Sequence, residues 1–148
     1  MESGWRCEAR GDRLAYHLHG NFEVEQARSL SADAQRRLAD AGRRWEVMFT
    51  LNDVSRVSVE ARSELAGLQA WLAAHARRCV YVSNRPMFRG VALWVIHTAP
   101  DAGARVFPTH GQAEAWMAES ISRLDFIRER ARASLARLQA RLGARADA

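Results

Sequence analysis

Hydrophobic positions in the first 20 residues alternate with polar ones. From Arg13 to His19 every second residue is Leu or Tyr, which predicts a strand with one buried face. Residues 5–10 predict a second strand, and the Gly11-Asp12 pair between them is typical of a hairpin turn. The chain is therefore expected to begin with an antiparallel hairpin.

Three later segments space their apolar residues at intervals of three and four, as amphipathic helices do. The first runs from Glu23 to Ala41, and Gly42 suits a left-handed cap at its end. The second follows Ser58, whose side chain suits an N-cap, and the third begins at Pro86. These patterns predict three helices between the hairpin and residue 100.

Short apolar runs separate the predicted helices. Residues 47–51 and 79–82 are almost unbroken apolar runs, as expected of parallel strands buried on both faces, and residues 104–107 predict an edge strand. Strands that alternate with helices indicate an α/β fold. The predicted architecture is a mostly parallel sheet with helices on its faces, an N-terminal antiparallel hairpin and a long C-terminal helix.

The C-terminal helix is predicted to begin with a capping box at Thr109 and Gln112, to continue to Leu142 and to stop at Gly143. Such a helix outruns a small domain, so residues 1–118 are predicted to form the α/β domain and residues 119–148 a helical extension. An apolar seam along it predicts a partner-binding surface. The seam consists of Met117, Ile121, Leu124, Ile127, Leu135, Leu138 and Leu142.

Charge is concentrated in the same extension. All 22 basic residues are arginine, and residues 120–148 carry a net charge of +4 against +1 for the rest of the chain. Self-association through the seam is the leading prediction, and a helix of another protein or docking on its own domain stays open. Binding to an anionic surface, nucleic acid or a membrane periphery, is a weaker alternative because it explains only the charge.

Residues with catalytic or metal-binding chemistry are scattered. Neither a convergent acid–base group nor a phosphate-binding glycine motif is present, the two cysteines are predicted to be reduced thiols, and two histidines on one strand lack a third ligand. We therefore expect no enzyme, metal or cofactor. The residues considered were Asp53, Glu60, His17, His19, Cys7 and Cys79.

Two smaller sites are predicted near the helix starts. Asn84, Arg85 and Arg89 gather at the start of the third helix, beyond the carboxyl end of a strand, and form a candidate pocket for a small ligand or anion. Ser58 and Ser63 are candidate regulatory phosphorylation sites, although capping is the stronger interpretation of Ser58.

The order of elements, together with four segments, resembles the STAS-like domains, whose best-known members are bacterial anti-sigma-factor antagonists. The resemblance covers about residues 5–118 and implies a sheet wound as a βα superhelix that works by protein contact. In the antagonists a phosphorylated Asp-Ser-Ser-Gly stretch opens the second helix, and its counterpart is expected near residues 61–64, where only Ser63 matches. The segments are Gly20–Phe22, Leu51–Val57, Asn84–Ala92, and Arg105–Thr109 with Ala113–Met117.

The sequence thus predicts a non-enzymatic protein–protein interaction module of a bacterial signalling or scaffolding system that associates through its C-terminal helix. A small-ligand or anion sensor is the alternative. The N-terminus lacks the apolar region of a signal peptide, and no apolar run approaches the roughly 20 residues needed to span a bilayer. A cytoplasmic location is expected.

Overall fold

The parallel strands of the sheet lie side by side in the order in which they occur along the chain. The computed structural model describes residues 4–39, 45–99, 103–119 and 123–146, without the side chains of 123–129, 133 and 144–146. The chain divides into two compact units, Met1–Ala118 and Glu119–Ala148. The elements are β1 (Gly4–Arg10), β2 (Arg13–Phe22), α1 (Val24–Leu38), β3 (Glu46–Val57), α2 (Val59–His75), β4 (Arg78–Val82), α3 (Pro86–Thr98), β5 (Ala104–Phe107), α4 (His110–Ala118) and α5 (Arg123–Ala146).

The five strands form one sheet in the order β1-β2-β3-β4-β5. β1 is antiparallel to β2, and the other neighbours are parallel. Side chains alternate between faces, so the sheet has two cores. One face packs on α1, α2 and α3, and the other packs Met48 and Val80 against Ala113 and Met117 of α4. The predicted α/β class, the mostly parallel sheet and the N-terminal hairpin are confirmed.

Three aromatic rings cross the first core from strand to strand and tie two helices to it. Tyr16, Phe49 and Tyr81 stack with centroid separations of 5.6 and 5.0 Å. The Tyr16 hydroxyl donates to Asp33 of α1 (2.8 Å), and the Tyr81 hydroxyl donates to Gln69 of α2 (2.7 Å). Each buried hydroxyl is therefore hydrogen-bonded, and each bond fixes a helix against the sheet.

The strands β2 and β3 are longer than the apolar pattern predicted. β2 continues to Phe22 and β3 to Val57, with register shifts on either side of Gly20, which has a left-handed φ of 69°. A glycine tolerates that conformation without a Cβ clash. Asp53 follows the apolar run 47–51, a place typical of a loop cap, but it lies within β3 opposite His19.

The predicted long C-terminal helix is confirmed as α5, but the prediction that it runs unbroken from the capping box at Thr109 is wrong. α4 ends at Ala118, Glu119 lies outside it, and α5 is a separate helix. The end of α4 is set by a tertiary contact, because the Arg78 guanidinium donates to the carbonyl oxygens of Trp116 and Met117. Gly143 is not a stop either, since α5 continues through it to Ala146. Gly42, the expected cap of α1, lies outside the described residues.

Candidate functional site

The carboxyl end of β4 lies beside the middle of β3, where the sequence placed a ligand pocket. The backbone N–H of Asn84 donates to the Asn52 side-chain oxygen at 2.8 Å. The Arg85 guanidinium donates to the carbonyl oxygens of Asn52 (3.1 Å) and Val54. Arg85 thus joins the second half of β3 to the start of α3.

The first turn of α3 uses its second arginine in the same way. Arg89 donates to the carbonyl oxygen of Ser83 at 3.1 Å, and the Arg85 guanidinium lies 4.4 Å from the centre of the Phe88 ring. The structure therefore brings the predicted residues Asn84, Arg85 and Arg89 together. Both guanidinium groups donate hydrogen bonds to backbone carbonyl oxygens. Binding of a small ligand or anion by these arginines stays a prediction.

The start of α2 holds the two serines proposed as regulatory sites. Ser58 is buried, with 6% of its surface exposed, and its Oγ accepts a hydrogen bond from the Ala61 N–H at 3.1 Å, which makes it the N-cap. Ser63 is exposed in the second turn. α2 begins at Val59, so residues 61–64, the expected counterpart of the Asp-Ser-Ser-Gly stretch, lie in its first two turns.

A cavity of about 470 Å³ lies on the sheet face that α4 partly covers. Among its charged residues, Arg13 contacts both Glu46 (3.5 Å) and Glu114 (3.1 Å). His17 of β2 and His110 of α4 lie beside each other there, with ring centroids 6.4 Å apart. The sequence analysis missed this pair because His110 is 93 residues away along the chain.

The two histidines differ in their surroundings. The Nε2 atom of His110 is 3.0 Å from Thr50 Oγ1, which ties the first turn of α4 to β3. Partial burial lowers the pKa of His17, and the positive charges of Arg6 and His110 lower it further, against weaker effects of Asp53 and Glu8. No group of three metal-binding side chains occurs among the residues that the structure describes.

The lowered pKa of His17 predicts a loss of stability in acid. The unfolded chain binds a proton near the ordinary His pKa of 6.5, whereas folded His17 binds it only at lower pH, so the free energy of unfolding falls as the pH drops below about 6.5. We expect urea titrations at pH 7.5 and 5.5 to show a smaller drop for His17→Gln than for the parent. His97→Gln, a change on the exposed side of α3, is the control. An equal drop in all three proteins would contradict the prediction.

The predicted partner-binding seam is only partly available on the structure. Met117 is 5% exposed and belongs to the second core, so its assignment to the seam was wrong. Ile121, Leu124 and Ile127 fall outside the described side chains. Leu135, Leu138 and Leu142 are on α5 and are 56%, 54% and 58% exposed. These three leucines are referred to below as the leucine seam.

The strand order, the antiparallel first pair and the helix after each parallel strand agree with the fold that the resemblance to STAS-like domains implied. No family model matches the chain. No curated protein matches it by sequence. The described helices include none that is long and apolar enough to cross a membrane.

Solved structures give the likeness directly. An uncharacterised protein with a SpoIIAA-like fold from Shewanella loihica PV-4 has a TM-score of 0.61 at 14% identity, covering 80% of this chain and 97% of its own. The unphosphorylated anti-sigma factor antagonist SpoIIAA has a TM-score of 0.61 at 13% identity, covering 79% and 100%. The phosphorylated form of the Bacillus cell fate determinant SpoIIAA has a TM-score of 0.58 at 15% identity, covering 77% and 99%. The predicted STAS-like fold is confirmed.

Proposed function

We propose that this protein is a non-enzymatic interaction module of a bacterial, cytoplasmic signalling or scaffolding system, and that α5 is its association element. The observation that carries the proposal is the leucine seam, whose three side chains are each more than half exposed. Water-exposed leucines at intervals of three and four are the pattern of a helix that pairs with another helix. The fold adds support, because the solved proteins of this fold include anti-sigma factor antagonists.

The division of the chain is consistent with an added association element. Residues 1–118 form one compact unit, and the similar solved proteins match about four fifths of this chain with nearly all of their own length. The leucine seam lies in the second unit, residues 119–148. A second copy of the chain and a helix of a different protein are both partners of the right shape.

The alternative function, a small-ligand or anion sensor at Asn84, Arg85 and Arg89, has weaker support. The guanidinium groups of both arginines already donate to backbone carbonyl oxygens. An anion there would compete with those bonds. We therefore place the function on α5.

The test replaces the leucine seam in the full-length protein with Leu135→Ser, Leu138→Ser and Leu142→Ser. The control carries Ala136→Ser and Ala140→Ser, exposed positions on the other side of α5. Light scattering measures self-association, and quantitative mass spectrometry measures the proteins that co-purify from the native cells. We expect the triple variant to bind its partner chain at least about tenfold more weakly, which corresponds to about 1.4 kcal/mol of binding free energy. The control is expected to keep the affinity of the parent. Unchanged mass and unchanged co-purification in the triple variant would refute the proposal.

A further inference from the structure

The second half of α5 combines the leucine seam with a one-sided charge. Residues 130–146 contain five arginines and no acidic residue. Arg132 and Arg141 occupy the heptad positions that flank the seam when Leu135 and Leu138 occupy its centre. A helix that covers the leucines must therefore lie alongside guanidinium groups on both flanks.

A second copy of α5 is a poor match for this surface. In a parallel pair the two basic segments face each other along their whole length, and like charges at flanking positions destabilise a helix pair. In an antiparallel pair, residues 123–129 of one copy face the end of the other. Those seven residues hold two acidic residues and two arginines, so they bring no net negative charge. Neither orientation places a net negative charge opposite the basic segment.

We propose that the leucine seam binds an acidic amphipathic helix of another protein, with apolar residues at intervals of three and four and Glu or Asp at the flanking positions. The inference rests on the proposed function, because it names the partner of the same surface. Guanidinium groups pair with carboxylates in a fixed fork geometry, which sets the register, while the leucines supply the buried apolar contact. Opposite charges also speed the encounter, so association slows as salt is added.

The test uses the full-length protein and three synthetic peptides that match the 24 residues of α5, about three and a half heptads. The first has Leu at the seam positions and Glu at the flanks, the second has Leu with Lys flanks, and the third has Ser with Glu flanks. Fluorescence anisotropy measures the dissociation constants. We expect the Leu and Glu peptide to bind at least about tenfold more tightly than either of the others, since several exposed ion pairs add to apolar burial.

A charge swap makes the test specific to α5. The double variant Arg132→Glu and Arg141→Glu, which reverses the charge at both flanking positions, is expected to prefer the Lys-flanked peptide. The matched control, Arg6→Glu and Arg10→Glu, makes the same change of charge at exposed positions of β1 and should keep the original preference.

Each other outcome counts against the inference in a different way. Equal binding of the Ser and Glu peptide indicates a general polyanion surface, such as one for nucleic acid or an anionic membrane, and overturns it. Equal binding of the Lys-flanked peptide, or no binding of any peptide, also overturns it. A homodimer that Leu135→Ser dissolves overturns the inference but supports the proposed function. The proposed function itself fails only if replacing the leucine seam changes no association at all.

Discussion

Arg78→Met is expected to lower the free energy of unfolding by about 3 kcal/mol, because it removes charge-assisted hydrogen bonds from a buried site. Arg78 is 1% exposed, and its Nη1 atom donates to the carbonyl oxygens of Trp116 at 2.9 Å and Met117 at 3.4 Å. These carbonyls belong to the last turn of α4, where a helix has unsatisfied acceptors and the negative end of its dipole. Urea unfolding followed by circular dichroism measures the loss.

Arg105→Met separates the carbonyl contacts from the ring contact. Arg105 also lies over the Trp116 ring, at 5.7 Å from its centre against 5.1 Å for Arg78, but its Nη1 donates to the Ala104 carbonyl oxygen of its own strand. We expect this control to lose less than about 1 kcal/mol. Hydrogen exchange should accelerate throughout α4 in the Arg78 variant only. Equal losses for the two variants would show that stacking on Trp116, and not carbonyl binding, is the source of the effect.

The same arginine shows why the break in the helix after Ala118 was not predicted. Local pattern placed every strand and the first three helices, since each has its own periodicity. The end of α4 has no glycine or proline signal, because neither residue occurs between Gln112 and Leu142. The end of α4 depends on the side chain of Arg78, which is 38 residues before Trp116 in the sequence. Arginine is seldom fully buried, so nothing in the sequence indicates this contact.

The candidate sites divide in the same way between local and distant contacts. Asn84, Arg85 and Arg89 share one helix start, so the sequence could place them together. It could not show that the two guanidinium groups donate hydrogen bonds to the carbonyl oxygens of Asn52, Val54 and Ser83. Asn52 and Val54 belong to β3, which is about 30 residues earlier in the sequence. The His17 and His110 pair was missed for the same reason. The leucine seam was predictable in part, because heptad spacing is a local property.

Asp33→Ala is expected to lower the free energy of unfolding by about 3 kcal/mol, because it leaves a buried hydroxyl without its acceptor and removes a paired charge. Asp33 is 5% exposed and accepts hydrogen bonds from Tyr16 (2.8 Å), Arg36 (2.6 Å) and Arg37 (2.8 Å). The two arginines reach solvent and can be hydrated after the change. The Tyr16 hydroxyl is buried and cannot be hydrated in the same way. Most of the lost free energy of unfolding is therefore expected from the contact between α1 and β2.

The conservative variants Asp33→Asn and Tyr16→Phe locate that loss. The amide keeps an acceptor for Tyr16, so we expect Asp33→Asn to cost about half as much as Asp33→Ala.

Burial raises the pKa of Tyr16 above its ordinary value of 10, and the bond to Asp33 raises it further. The unfolded chain therefore loses that proton first, and stability should fall as the pH rises above 10 in the parent but less in Tyr16→Phe. In a double-mutant cycle read by urea unfolding, additive effects of Tyr16→Phe and Asp33→Ala would show that the two residues act independently, which the 2.8 Å bond argues against.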